Sequence, residues 1–199
     1  MRRGVAILLT GVLFFCAWGL APAAANHIVG ATGNTGCDDL NIHDPNDSVI
    51  GYQRSGLSTP NHSQVDWIML NRVLPTDLEV GAASSGGDFI YYDDDYTTFC
   101  GKNWWSAGSG GVVGFAKCEA LVASACDTHK VYLHLGYTNT VDTAGRRKLI
   151  CHETGHSIGI THNDHTSAAL DSCMKTPPSS AGISNYSSHE INDMINFVW

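Results

Sequence analysis

His152-Glu153-Thr154-Gly155-His156-Ser157-Ile158-Gly159-Ile160-Thr161-His162 is the stretch from which the rest of the chain is read. It has the spacing H-E-x-x-H-x-x-G-x-x-H. On a helix a four-residue step rotates about 400°, so His152 and His156 project from one face, one turn apart. Two imidazoles so placed can chelate one Zn²⁺ at roughly 2.0–2.1 Å each. Glu153 lies beside the pair, where it can hydrogen-bond a zinc-bound water instead of ligating the metal. Gly159 can take the left-handed conformation that ends a helix and returns the chain toward the metal, bringing in His162 as third ligand. Three protein ligands leave one position open, which is the arrangement of a catalytic zinc. With five fixed residues, a chance match has a frequency of about 10⁻⁷ per start position.

The N-terminus reads as an export signal over residues 1–25: Arg2 and Arg3, an apolar run from Val5 to Leu20, and an A-x-A site at Ala23-Ala24-Ala25. The run is shorter than the ~20 residues of a membrane span, and no later stretch resembles one. The mature chain is then 26–199, secreted and extracellular. The whole chain carries 11 Lys+Arg against 19 Asp+Glu, and losing Arg2 and Arg3 takes the net charge from −8 to −10. Such a surface argues against nucleic acid or anionic membrane as partner. Of the seven cysteines, Cys16 leaves with the signal. The remaining six suggest three disulfides, among fifteen possible pairings.

Before the zinc motif the chain reads mainly as strands. Val65 to Leu70 is rich in β-formers, and Phe89 to Tyr92 is aromatic and β-branched. Val112 to Ala116 follows a Gly/Ser-rich loop, and Val131, Leu133 and Leu135 alternate onto one face. Asp142 or Thr143 can N-cap the helix that runs into the motif. Ser187-Ser188-His189-Glu190 forms a capping box, followed by Ile191, Met194, Ile195 and Val198 on one helical face.

The motif resembles that of the metzincin zinc endopeptidases, closest in look to matrixin-like secreted bacterial peptidases. That resemblance implies an α+β zincin fold: a twisted mixed sheet and the active-site helix above a cleft, with a short irregular lower subdomain ending in a helix. The expected division is an upper subdomain 26–159 and a lower one 160–199. Metzincins carry a methionine in a tight turn beneath the zinc, and Met174, twelve residues past His162, fills that place. If Met174 lies there, Cys151 and Cys173 come near one another, and a bridge between them is expected. Cys118–Cys126 would close a short local loop and leave Cys37–Cys100. Asn163 stands where matrixins usually carry Ser and adamalysins Asp. Lys175-Thr176 follows Met174, without the Tyr ligand of astacins and serralysins. Tyr186 is expected to pack at the start of the last helix.

The resemblance implies a zinc-dependent endopeptidase acting on proteins or peptides as a monomer, with Glu153 as general base and then acid. Alternatives are a zinc hydrolase acting on cell-wall peptides, or a zinc-stabilised binding or inhibitor module with little turnover. An extended substrate would pair with an edge strand, for which Val112, Val113, Gly114, Phe115 and Ala116 are the candidate. Asp93-Asp94-Asp95 could supply Ca²⁺ oxygens, a solvated acidic run being the alternative reading. His129, His134 and His165 are candidates for a second metal site, and Asp164 or His165 for the third zinc ligand in place of His162. Trp104 and Trp105 are read as core more readily than as a binding surface.

Overall fold

The computed structural model describes residues 44–123, 125–160, 172–175 and 183–199. The signal segment, Cys37 and His162 through Asp171 lie outside them. Five strands make one mixed sheet: β1 (Val49–Gly56), β2 (Glu79–Ala82), β3 (Phe89–Asp94), β4 (Gly114–Val122) and β5 (Ala125–His134), in the order β2-β1-β3-β5-β4. All neighbours are parallel except β4 and β5, which form an antiparallel hairpin. The fold is mixed α+β, as the sequence led us to expect.

The stretch expected as a strand over Val65 to Leu70 is helical. α1 (Thr59–Ile68) has a proline in its first turn and continues into a π-helical turn, Met69–Val73. Asn61, Val65, Ile68, Met69 and Val73 are its buried residues, a spacing of three to four that only a helix aims at one surface. Burial of that stripe outweighs the local β-propensity of Val65, Trp67 and Ile68. β1 and β2 were not foreseen at all. Leu135 opens a short helix, α2 (Leu135–Thr140), instead of continuing β5. All four residues from Val131 to His134 are buried, because β5 lies inside the sheet with both faces covered.

One face of the sheet carries Ile50, Tyr52, Phe89, Tyr91, Val131 and Leu133 into the main core, shared with α1 and with α3 (Thr143–Ser157). The other face is covered by an aromatic cluster, Trp104, Phe115 and Tyr132, joined by Tyr92, Tyr96 and Phe99. Trp104 is buried and donates its indole N–H to the Phe99 carbonyl at 2.8 Å. Trp105 packs edge-on against His134 and Tyr137.

The chain ends in a π-helical stretch, Glu190–Ile195, that runs into α4 (Asn196–Val198). The capping box forms: Glu190 N–H donates to Ser187 Oγ at 3.2 Å, and Ser187 N–H returns to the Glu190 carboxylate. Ile195 is buried and Ile191 half-buried, whereas Val198, expected on the same apolar face, is exposed. The widened π turn shifts the register that an ideal helix would have kept.

Candidate metal centre

α3 places the first part of the motif. Asp142 caps it, its Oδ1 accepting from Gly145 N–H at 2.8 Å. Gly159 stops it with φ +99°, a left-handed turn that glycine makes without a steric penalty. Ile160 N–H then reaches back to the Gly155 carbonyl at 2.9 Å, and the Ile160 carbonyl meets the His156 ring at Nδ1, 2.7 Å away. The helix stop thus orients the second histidine of the motif.

His152 is held in the same manner from elsewhere in the chain, its Nδ1 lying 2.9 Å from the Cys173 carbonyl. A carbonyl can only accept, so Nδ1 carries the hydrogen in both rings, and the neutral tautomer leaves a lone pair on each Nε2. Those two Nε2 atoms converge to 3.2 Å, with the rings nearly perpendicular at 82°. Two facing lone pairs repel unless a cation lies between them. Two nitrogens at roughly 2.0–2.1 Å from one tetrahedral ion stand about 3.3–3.4 Å apart, so the pair fits a zinc-sized cation. Among the described residues no group of three or more His, Cys, Asp or Glu is placed to hold a metal ion, and His162, Asp164 and His165 lie outside them.

Glu153 is buried. Desolvation pushes its carboxyl up to about 8, and a hydrogen bond donated by Ala116 N–H pulls in the opposite direction. β4 forms the edge of the sheet and crosses directly over this carboxylate. A β-carbon at Gly114 would stand 2.5 Å from Glu153 Oε1 and 2.8 Å from its Cδ. The missing side chain at Gly114 leaves the space that Glu153 fills.

The edge strand begins later than expected, at Gly114, while Val112 makes an isolated bridge with Trp104. The Val113 carbonyl accepts from His134 N–H at 2.9 Å, so Val113 faces β5. Alternation then puts Phe115 toward β5 and the backbone groups of Gly114 and Ala116 toward the free edge, where the bond from Ala116 to Glu153 lies.

Beneath the helix, Ser172 to Lys175 make a tight turn closed by Lys175 N–H to the Ser172 carbonyl at 3.3 Å. Met174 is fully buried there against Gly155. Disulfides join Cys151 to Cys173 and Cys118 to Cys126. Cys100 is also disulfide-bonded, and Cys37, the partner expected from the sequence, lies outside the described residues. Tyr186 is buried behind α3 and donates its hydroxyl to the Cys151 carbonyl at 3.0 Å. Tyr91 and Thr154 share a hydrogen bond of 2.8 Å on the core side of the same helix. The sequence reading missed these last contacts, and also the bond that Ser172 Oγ donates to Glu190 Oε1 at 2.8 Å. The capping box was the only sign that Glu190 mattered.

Among the described residues Asp93 to Asp95, His129 and His134 form no metal-holding group, and His165 lies outside those residues. Both carboxylate oxygens of Asp93 accept from Ser58, at its N–H and its hydroxyl, and Asn61 adds a further bond, so Asp93 anchors the start of α1. Asp94 Oδ1 accepts from Asp95 N–H. The three aspartates thus serve separate local roles. His129 packs edge-on against Phe89, while His134 caps α2 through Nδ1 and lies by Trp104 and Trp105.

No protein-family model matches the chain, and no curated protein matches it. Among solved structures it is similar to two of myroilysin. One is 13% identical with a TM-score of 0.41, covering 61% of this chain and 52% of that one. The other is 14% identical with a TM-score of 0.41, covering 69% and 56%. The chain therefore spans little more than half the length of either.

Proposed function

We propose that this chain is a secreted zinc-dependent endopeptidase in which His152, His156 and His162 hold the metal and Glu153 handles the proton. The observation that carries this reading is the convergence of the His152 and His156 Nε2 atoms at 3.2 Å, next to a buried carboxylate. Zinc, when bound, supplies Lewis acidity, lowering the pKa of a water from about 15.7 toward 7 and polarising the peptide carbonyl. Glu153 then accepts the proton of the attacking water and delivers it to the amine nitrogen as the C–N bond breaks. Its burial favours proton uptake, because desolvation penalises the bare carboxylate. Ala116 N–H and the gap at Gly114 keep the carboxylate aimed.

An extended peptide would join the free edge of β4 at the Gly114 backbone and the Ala116 carbonyl, since Glu153 takes the Ala116 N–H. Val113 and Phe115 tie that strand to β5, while Val112 ties its start to the segment Asn103 to Trp105. The disulfides Cys118–Cys126 and Cys151–Cys173, with the export-type N-terminus, support an extracellular setting. No helix among the described residues is long and apolar enough to cross a membrane. The deciding experiment measures zinc per chain by elemental analysis, together with cleavage of denatured protein before and after chelation. One zinc per chain, with activity lost on chelation and restored by zinc, supports the reading. Metal-independent cleavage, or no cleavage by the zinc-loaded protein, overturns it.

A further inference from the structure

The first turn of the motif is oriented from an unexpected direction. His152 donates Nδ1–H to the Cys173 carbonyl, which belongs to the turn Ser172 to Lys175. That turn is held internally by Met174 N–H, which donates to Ser172 Oγ at 3.0 Å. The same hydroxyl donates to Glu190 Oε1 at 2.8 Å, so it is used both as donor and as acceptor. Ser172 and Glu190 are both fully buried. A carboxylate buried at the start of the last helix is costly unless its lone pairs are occupied. Here one oxygen takes the Ser172 hydroxyl and the other takes Ser187 N–H.

We propose that Glu190 is a positioning residue for the metal centre: through Ser172 it fixes the Cys173 carbonyl, and through that carbonyl the direction of His152 Nε2. The inference rests on the proposed function and deepens it. The chain of contacts spans 38 positions of sequence, from His152 to Glu190, and ends in a fully buried carboxylate.

The test is metal affinity itself, measured by competition of zinc against a chromophoric chelator on the full folded chain. Glu190→Gln keeps the shape but cannot accept at both positions. Ser172→Ala removes the link from its other end and keeps the helix cap. Each should weaken zinc binding about 10–100-fold, the range seen when partners of metal-ligating histidines are lost. The double variant should be little worse than either single one, since both cut the same chain. Ser187→Ala is the control, removing the hydroxyl that caps Glu190 N–H while leaving Ser172 intact. It should lower the melting temperature and leave zinc affinity unchanged. If Ser187→Ala weakens zinc as much as Ser172→Ala, or if Ser172→Ala binds zinc as the parent does, the positioning role is overturned. A parent chain that binds no zinc sinks the proposed function instead, so the two failures are distinguishable.

Discussion

Gly114 and Glu153 are in contact across the gap between β4 and α3, and the space a side chain would fill at one is filled by the carboxylate of the other. An alanine at 114 must therefore displace the carboxylate or lift the edge strand. Gly114→Ala should lower kcat/KM by about 10²-fold, the scale of a 1 Å misplacement. The fold should survive at a cost of about 1–3 kcal/mol, as for overpacking elsewhere. Hydrolysis rates alongside a melting curve check this, and an unchanged rate would show that Glu153 does not depend on the gap.

Glu153→Gln keeps size and removes the proton acceptor. Turnover should fall by about 10²–10⁴-fold or more while zinc stays at the parent stoichiometry. His162→Ala should lower zinc occupancy along with rate. A His162→Ala protein that keeps full zinc would point to Asp164 or His165 as third ligand.

Gly155 faces Met174 with no room between them: a β-carbon there would overlap the Met174 sulfur and press on Tyr186. Gly155→Ala should destabilise by about 1–3 kcal/mol. Met174→Val ends before the sulfur position and should recover part of that loss in the double variant. Equal and additive losses in denaturant titrations would argue that the two residues are not packed as described.

Cys173→Ser opens the bridge between α3 and the turn beneath it. A loss of about 2–4 kcal/mol is expected. Peptide mapping of the unreduced parent should recover Cys151 linked to Cys173, and recovery of Cys151 with an upstream cysteine would contradict the structure.

The centre was legible where chemistry fixes spacing. The His152/His156 step, the stop at Gly159 and the cap at Asp142 are local, and each follows from one helical turn or one backbone conformation. The strand-rich half was legible only in part. β1 includes Gly51, Gln53, Arg54 and Gly56, and buries Ile50 and Tyr52, so its alternation is too short to stand out. In α1 the opposite happened: β-branched and aromatic residues fell at helical spacing, and tertiary burial decided. The direction of Val113, facing β5 instead of the free edge, depends on strand register, which no local pattern specifies. Ser172 and Glu190 are 18 positions apart, and their contact exists only once the last helix has docked.

The Cys151–Cys173 bridge has a consequence beyond rigidity. It joins residues 22 apart, and His152, Glu153, His156 and His162 all fall inside the covalent ring it closes. The three imidazoles therefore belong to one macrocycle even when the rest of the chain has melted. Once the first nitrogen has engaged an ion, the others act at the high effective concentration of a tethered ligand. The oxidised unfolded chain should then retain appreciable zinc affinity, so zinc should raise the melting temperature less than its native-state affinity alone would give. Reduction should open the macrocycle and lower the zinc affinity of the unfolded chain.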